Sequence, residues 1–213
     1  MKERLKEIFP AFEVKEIELG DYKKVKAGPI SFMVEAYDVE GFGRVSILKG
    51  KAMMGLMKMD TWMVTPFYHD SPLFSYDRIK AMGNDTFILE MYGTFKEKHG
   101  YPELLSIKDQ HRDFSRYQMK PNWYDSLRLE ESVSIKEKHK GKELDSLFEE
   151  YLKTFVRLVS LDTPMEEKEK KTLHKKYVDG LLSHGGPSTD VFVKALGKEK
   201  TTDLFENYLF GVN

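Results

Sequence analysis

Between Gly28 and Tyr92 the sequence alternates short apolar runs with turn signals so closely spaced that no helix fits between them. The turn signals are Gly28-Pro29, Glu40-Gly41, Lys49-Gly50 and Gly83-Asn84-Asp85. The runs are SFMVEAYDV, GRVSILK, KAMMGLMKMDTWMVTPF, PLFSYDRIKAM and TFILEMYGT. Parallel strands need crossovers of about a dozen residues or more, so these runs can pair only as antiparallel neighbours. The region predicts a meander of five or six strands. The long run Lys51–Phe67 is apolar at both alternating sets, Met53/Met57/Met59/Met63 and Met54/Leu56/Trp62/Val64. That predicts a central strand buried on both faces.

Helical periodicity flanks this region. Lys2–Phe9 reads as a short helix stopped by Pro10. From about Glu143, Leu144, Leu147, Phe148, Tyr151, Leu152, Phe155 and Leu158 recur at three- and four-residue steps and form one apolar stripe. A further helix is expected from near Thr163 to Ser183, ended by His184-Gly185-Gly186-Pro187. A short one follows, capped by Ser188 or Thr189, to Leu196, and a last one runs from Lys200 to about Phe210. Tyr101–Tyr124 carries no readable pattern. Strands first and helices later indicate an α+β fold. The expected architecture is a three-layer α/β/α sandwich with a central antiparallel sheet, formed by a single domain over residues 1–213.

The chain has no cysteine, which excludes disulfides, thiolate metal ligands and a cysteine nucleophile. Its 34 basic and 35 acidic residues leave a net charge of −1, which argues against a nucleic-acid binder. No apolar stretch reaches the length of a membrane span. The opening MKERLKEIFPAF lacks the apolar core of a signal peptide, so a cytoplasmic protein is expected, with no membrane partner. Nucleotide-binding and hydrolase fingerprints are missing, and the six histidines form no metal-ligand pair, so no metal site is expected.

Two carboxylates interrupt the apolar strands. Asp60 alternates with Leu56, Trp62 and Val64, and Asp77 with Leu73, Ser75 and Ile79. A charge in such a row is costly unless it is paired, exposed or used. Solvation or pairing with Lys58 or Arg78 at a strand end is the plain account. The functional account needs a pocket over the sheet, where a desolvated carboxyl holds a proton near neutral pH and can donate it.

The stretch TPFYHDSPLFSYD resembles the signature of the ferredoxin-dependent bilin reductases, whose superfamily also holds the red chlorophyll catabolite reductases. A strand ends near Pro66, a short turn spans Tyr68–Ser71, and Pro72, Leu73, Phe74 and Asp77 open the next strand. The tail KKYVDGLLSHGGPSTDVFVKALGKEKTTDLFENYLF is similar to that family's tail at Tyr177, Pro187, Phe192, Leu196, Gly197, Leu209 and Phe210. The family's glutamate upstream on the sheet has no counterpart in SILKGK, and its Asp-Pro-Ala reads Gly186-Pro187-Ser188 here.

The resemblance implies a sheet between helical layers and reduction of a linear tetrapyrrole through radicals. No cofactor is bound tightly; reduced ferredoxin or a flavodoxin-type donor supplies single electrons, and the protein supplies protons. Asp77 corresponds to the family's central acid. By spacing, Asp60 takes the place of the residue that faces that acid across the bilin, and the two would titrate together. The flat slot is expected from Met57, Trp62 and Phe74, and the charges for the substrate's propionates from Lys58 or Arg44, with Arg112 and Arg116 as further candidates. The other functions considered are a non-catalytic binder of bilin or haem on the same fold and a fold relative that takes a different small ligand.

Overall fold

The computed structural model describes residues 1–213, apart from the side chains of Pro187 and Ser188. Eight antiparallel strands form a single sheet. They are β1 (Val14–Glu16), β2 (Lys24–Ala27), β3 (Ile30–Val39), β4 (Gly43–Ala52), β5 (Met57–Pro66), β6 (Leu73–Ala81), β7 (Asn84–Tyr92) and β8 (Val133–Glu137). The order is β1-β3-β4-β5-β6-β7-β8, with β2 pairing beside β1 on β3. The helices are α1 (Lys2–Ile8), α2 (Pro102–Gln110), α3 (Gly141–Val159), α4 (Glu167–His184), α5 (Pro187–Leu196) and α6 (Lys198–Asp203). The last continues as a π-turn over Leu204–Leu209. Among the described residues, no helix is long and apolar enough to cross a membrane.

The expected sandwich is present, with three differences in the sheet. The run Lys51–Phe67 is two strands, not one, because a tight turn at Met53–Gly55 folds β5 back on β4. Gly50, which read as a turn residue, lies inside β4 opposite Met59. A Cβ there would come within 2.6 Å of the Met59 methyl and 3.0 Å of the Phe32 ring, so the glycine serves close packing. Strands β1, β2 and β8 are additions. Each is short and charged, which hides the apolar alternation that reveals the central strands.

Each face of the sheet has its own core. On the first face, α1, α2 and α3 cover Val45, Ile47, Trp62, Val64, Phe74, Tyr76 and Phe87. The stripe on α3 meets them ring to ring: Phe148 stacks on Tyr76 at 4.0 Å and Phe155 lies 5.0 Å from Phe74. On the second face, the C-terminal helices cover Val34, Ala36, Leu48, Met63, Leu73 and Tyr92. Helix α4 is fastened there by polar side chains. The buried Lys170 ammonium donates to the carbonyls of Ser71 and Thr94, the latter at 2.6 Å. The buried His174 Nε2 donates to the Pro66 carbonyl at 2.7 Å. The helix expected to begin at Thr163 starts instead at Glu167, because residues 163–165 pair with the loop before β6 through Asp70 and Tyr68.

Candidate functional site

Register decides which side chains can share a site, because a shift of one residue moves a strand's whole set to the other face. Thr61 pairs with Asp77, and Asp60 with Arg78. Asp77 therefore faces the second core with Thr61 and Met63, whereas Asp60 faces the first with Trp62. The expected acid pair is not formed: Asp60 and Asp77 project from opposite sides of the sheet. Counting residues between two strands measures separation along the chain and carries no information on which face each presents.

The other sequence-derived candidates divide the same way. Trp62 and Phe74 are fully buried in the first core, packed on Phe148 and Phe155. Emptying either position would cost about 3–5 kcal/mol, so they are core rather than slot. Lys58 is exposed on the first face, in the row of Asp60, out of reach of a molecule lying over Asp77. Arg44 is on the second face but committed. It pairs with Asp38 at 2.9 Å and donates to the carbonyls of Asn207 and Tyr208, closing the end of the π-turn. Arg112 and Arg116 are exposed beyond α2, away from Asp77. Besides the committed Arg44, Met57 shares the face of Asp77, four residues before Thr61 on the same strand.

Two rows of side chains cross the second face beside Asp77. One reads Val34, Leu48, Thr61, Asp77, Ile88, Ser134 across β3 to β8. The next reads Phe32, Gly50, Met59, Ile79, Thr86, Lys136. Thr61, Asp77, Ile88, Met59 and Ile79 are all half-buried, whereas Leu73 and Tyr92 further along their strands, and Val34 and Leu48 at the β3–β4 end of the first row, are covered by helices. The helical layer thus stops short of the β5–β7 part of these rows and leaves a trough floored by Met59, Ile79 and Ile88 around Asp77.

A wall of aromatic side chains bounds the trough. A turn at Trp123–Ser126 is fixed by reciprocal caps: the Asn122 side chain accepts from the Trp123 N–H at 2.9 Å, and the Asp125 side chain accepts from the Asn122 N–H at 3.0 Å. Tyr124 lies 5.4 Å from Tyr92, which lies 4.6 Å from Tyr177 on α4. Trp123 lies against α4 at Gly180, where a Cβ would fall 2.3 Å from its ring. The glycine is what admits the indole.

The second carboxylate on this face is Glu90, opposite Ser75 and one row from Asp77. It is buried and fully engaged, accepting from the Tyr92 hydroxyl at 2.6 Å and from Arg128 at 3.2 Å. Asp77 is nearly free by comparison; the Thr61 hydroxyl donates to it. Burial pushes the Asp77 carboxyl up to about 6; the Thr61 hydrogen bond opposes this, and the charges of Glu90 and, through the sheet, Asp60 add to it. Burial also raises Asp60, against the attraction of Lys49. Burial raises the neighbouring Tyr124 hydroxyl to about 12, so it is a neutral donor at any physiological pH.

Sequence reasoning missed Glu90, Tyr124 and Trp123. The first was visible as the polar member of an alternating strand, TFILEMY, but its pairing needs the β6–β7 register. The other two lie in the stretch without apolar period; their signal was the Asn-x-x-Asp capping pattern at Asn122 and Asp125.

No protein-family model matches the chain, and no curated protein sequence matches it. Among solved structures it is similar to phytochromobilin synthase from tomato in complex with biliverdin, with a TM-score of 0.75 at 10% identity, over 99% of this chain and 80% of that one. At that identity the likeness is one of fold. The chain has the fold of the ferredoxin-dependent bilin reductases.

Proposed function

We propose that this protein binds an open-chain tetrapyrrole in the trough over β5 and β6 and reduces it, with Asp77 as the proton donor and a ferredoxin or flavodoxin-type protein as the source of electrons. The observation that carries the reading is Asp77, an acid hydrogen-bonded only by Thr61, in the half-open and largely apolar part of that sheet face. The matched tomato enzyme holds biliverdin, a ligand of the shape and polarity that such a trough suits. A flat conjugated molecule would lie on Met57, Met59, Ile79 and Ile88, with the Trp123–Tyr124 wall at its edge. Lys136, at the outer end of one trough row, is the base proposed for a propionate, in place of Lys58 and Arg44.

The chemistry assigned to this chain is proton supply. Reduction of one double bond takes two electrons and two protons. The donor protein gives the electrons singly, and each added electron makes the pigment more basic. The Asp77 carboxyl gives a proton to the reduced pigment and becomes a carboxylate, which takes another from solvent at the open side of the trough. A donor with a pKa of about 6 is matched to work at neutral pH. Glu90 accepts hydrogen bonds from Arg128 and Tyr92, and its charge favours the protonated form of Asp77. It is a positioning residue in this scheme.

Non-catalytic binding of bilin or haem is the second reading, favoured by Glu90 being locked in hydrogen bonds, which leaves a single free acid. One experiment separates the two. Mix the protein with biliverdin and record the visible spectrum, then add reduced ferredoxin without oxygen. A spectral change on mixing followed by loss of the long-wavelength band supports reduction. A change on mixing alone supports binding, and no change on mixing refutes both. In Asp77→Asn, binding should persist while turnover falls by about two orders of magnitude or more; unchanged turnover removes Asp77 from the role.

A further inference from the structure

The β4–β5 and β6–β7 hairpins end side by side, since Met57 pairs with Ala81. Their tips carry Met53, Met54, Leu56 and Met82, which are 53%, 103%, 69% and 83% exposed. Nothing in the fold calls for them. The β6–β7 turn has Met82 at φ 52° and Gly83 at φ 77°, a two-residue turn that favours Asn-Gly. Met53 and Met54 are also left-handed, at φ 51° and 53°. An unbranched apolar side chain has no local reason to occupy such positions. Three methionines sit where backbone conformation and water both disfavour them.

Beneath the tips runs a line of like charge. Lys51 pairs with Lys58 and Lys58 with Lys80, so three exposed ammonium groups cross adjacent strands on the first face. Directly opposed like charges destabilise a sheet. Among the described residues none of the three makes an ion pair. A hollow of about 740 Å³ opens beside them, lined by Lys58, Lys80, Lys142 and Met82 together with two acids, Asp85, which is paired with Arg78, and Glu143.

We infer that these hairpin tips and the lysine row are the docking surface for an acidic electron-donor protein. This rests on the reductase reading. The lysine row fits a partner's carboxylates, which relieve its self-repulsion, and flexible methionines fit a protein surface whose contacts they can follow. The tips bear no tryptophan, tyrosine or phenylalanine, the anchors that membrane-surface proteins use, and the hollow between them is concave. Position is compatible with the same partner. The lysine row lies on the opposite face of the sheet from Asp77, but the tips are shared by both faces, and from Met57 to Thr61 is four strand residues, about 13 Å, so a donor holding the tips is separated from the trough by the end of the sheet alone.

The test uses the full chain and a reduced plant-type [2Fe–2S] ferredoxin. Lys58→Glu/Lys80→Glu should weaken ferredoxin binding at low salt at least tenfold and abolish its salt dependence. Met54→Ser/Met82→Ser, which leaves charge unchanged, should weaken it several-fold. Biliverdin binding, and reduction driven by dithionite-reduced methyl viologen, should stay within twofold of the parent in both. Unchanged ferredoxin affinity in both variants overturns the docking surface. So does parent protein that floats with phosphatidylserine vesicles and binds no ferredoxin. If methyl viologen drives no bilin reduction, the reductase reading fails by itself, and ferredoxin binding still decides the docking surface.

Discussion

Replacing Asp77 with asparagine should make the protein more stable at neutral pH. Burial lifts this carboxyl from 3.8 to about 6, so its ionised form is disfavoured in the folded state. At about 1.4 kcal/mol per pKa unit, full ionisation costs roughly 3 kcal/mol relative to the unfolded chain. Asp77 keeps partial contact with water, and screening reduces the figure to about 1–2 kcal/mol. For a chain of this length that is a rise in Tm of about 2–8 °C. The sign follows from the raised pKa. Below 3.8 both states carry the proton and the group costs nothing; the cost grows as pH rises through the interval up to about 6 and is complete above it. Asparagine still accepts from Thr61, so the comparison isolates the charge. Urea or thermal unfolding of parent and variant at pH 7.5 and pH 4 measures it. A stability gain at pH 7.5 that vanishes at pH 4 is expected. Equal stability at pH 7.5, or a variant that is weaker there, refutes the claim that the fold strains this acid.

Two further outcomes follow from named contacts. Glu90→Gln keeps an acceptor for Tyr92 but removes the anion beside Asp77, so the Asp77 midpoint should fall below about 6; carbon-13 NMR of labelled aspartate reads it, and an unmoved midpoint refutes the coupling. Burial holds His174 well below 6.5, so it is neutral when folded and the unfolded chain takes up its proton preferentially. Stability should therefore drop as pH falls below about 6.5, and the deficit of His174→Gln relative to the parent should shrink over that range; a deficit independent of pH would contradict it.

The layers were legible because helix α3 and strands β4 to β7 announce themselves by period, and short turns leave antiparallel pairing as the sole option. The site was half legible. Asp77 stood out as a charge in an apolar row, but its neighbours are set by register, and register hangs on the turn at Met82-Gly83, which sequence alone did not fix. Trp62 and Phe74 misled for a related reason. On a sheet covered on both sides, apolar residues occupy positions facing either way, so hydrophobicity cannot separate a ligand's bed from the packing beneath it. Trp123 and Tyr124 are held by two caps in a stretch with no apolar repeat, where periodicity is silent.

On β5, Met57, Met59 and Thr61 face the trough, while Trp62 and Val64 belong to the α3 core. Natural drift or directed evolution could therefore reshape the trough at Met57, Met59 and Thr61 while Asp60, Trp62 and Val64 stay fixed. A strand paired on both edges and dressed differently on its two sides lets selectivity and foldability change separately.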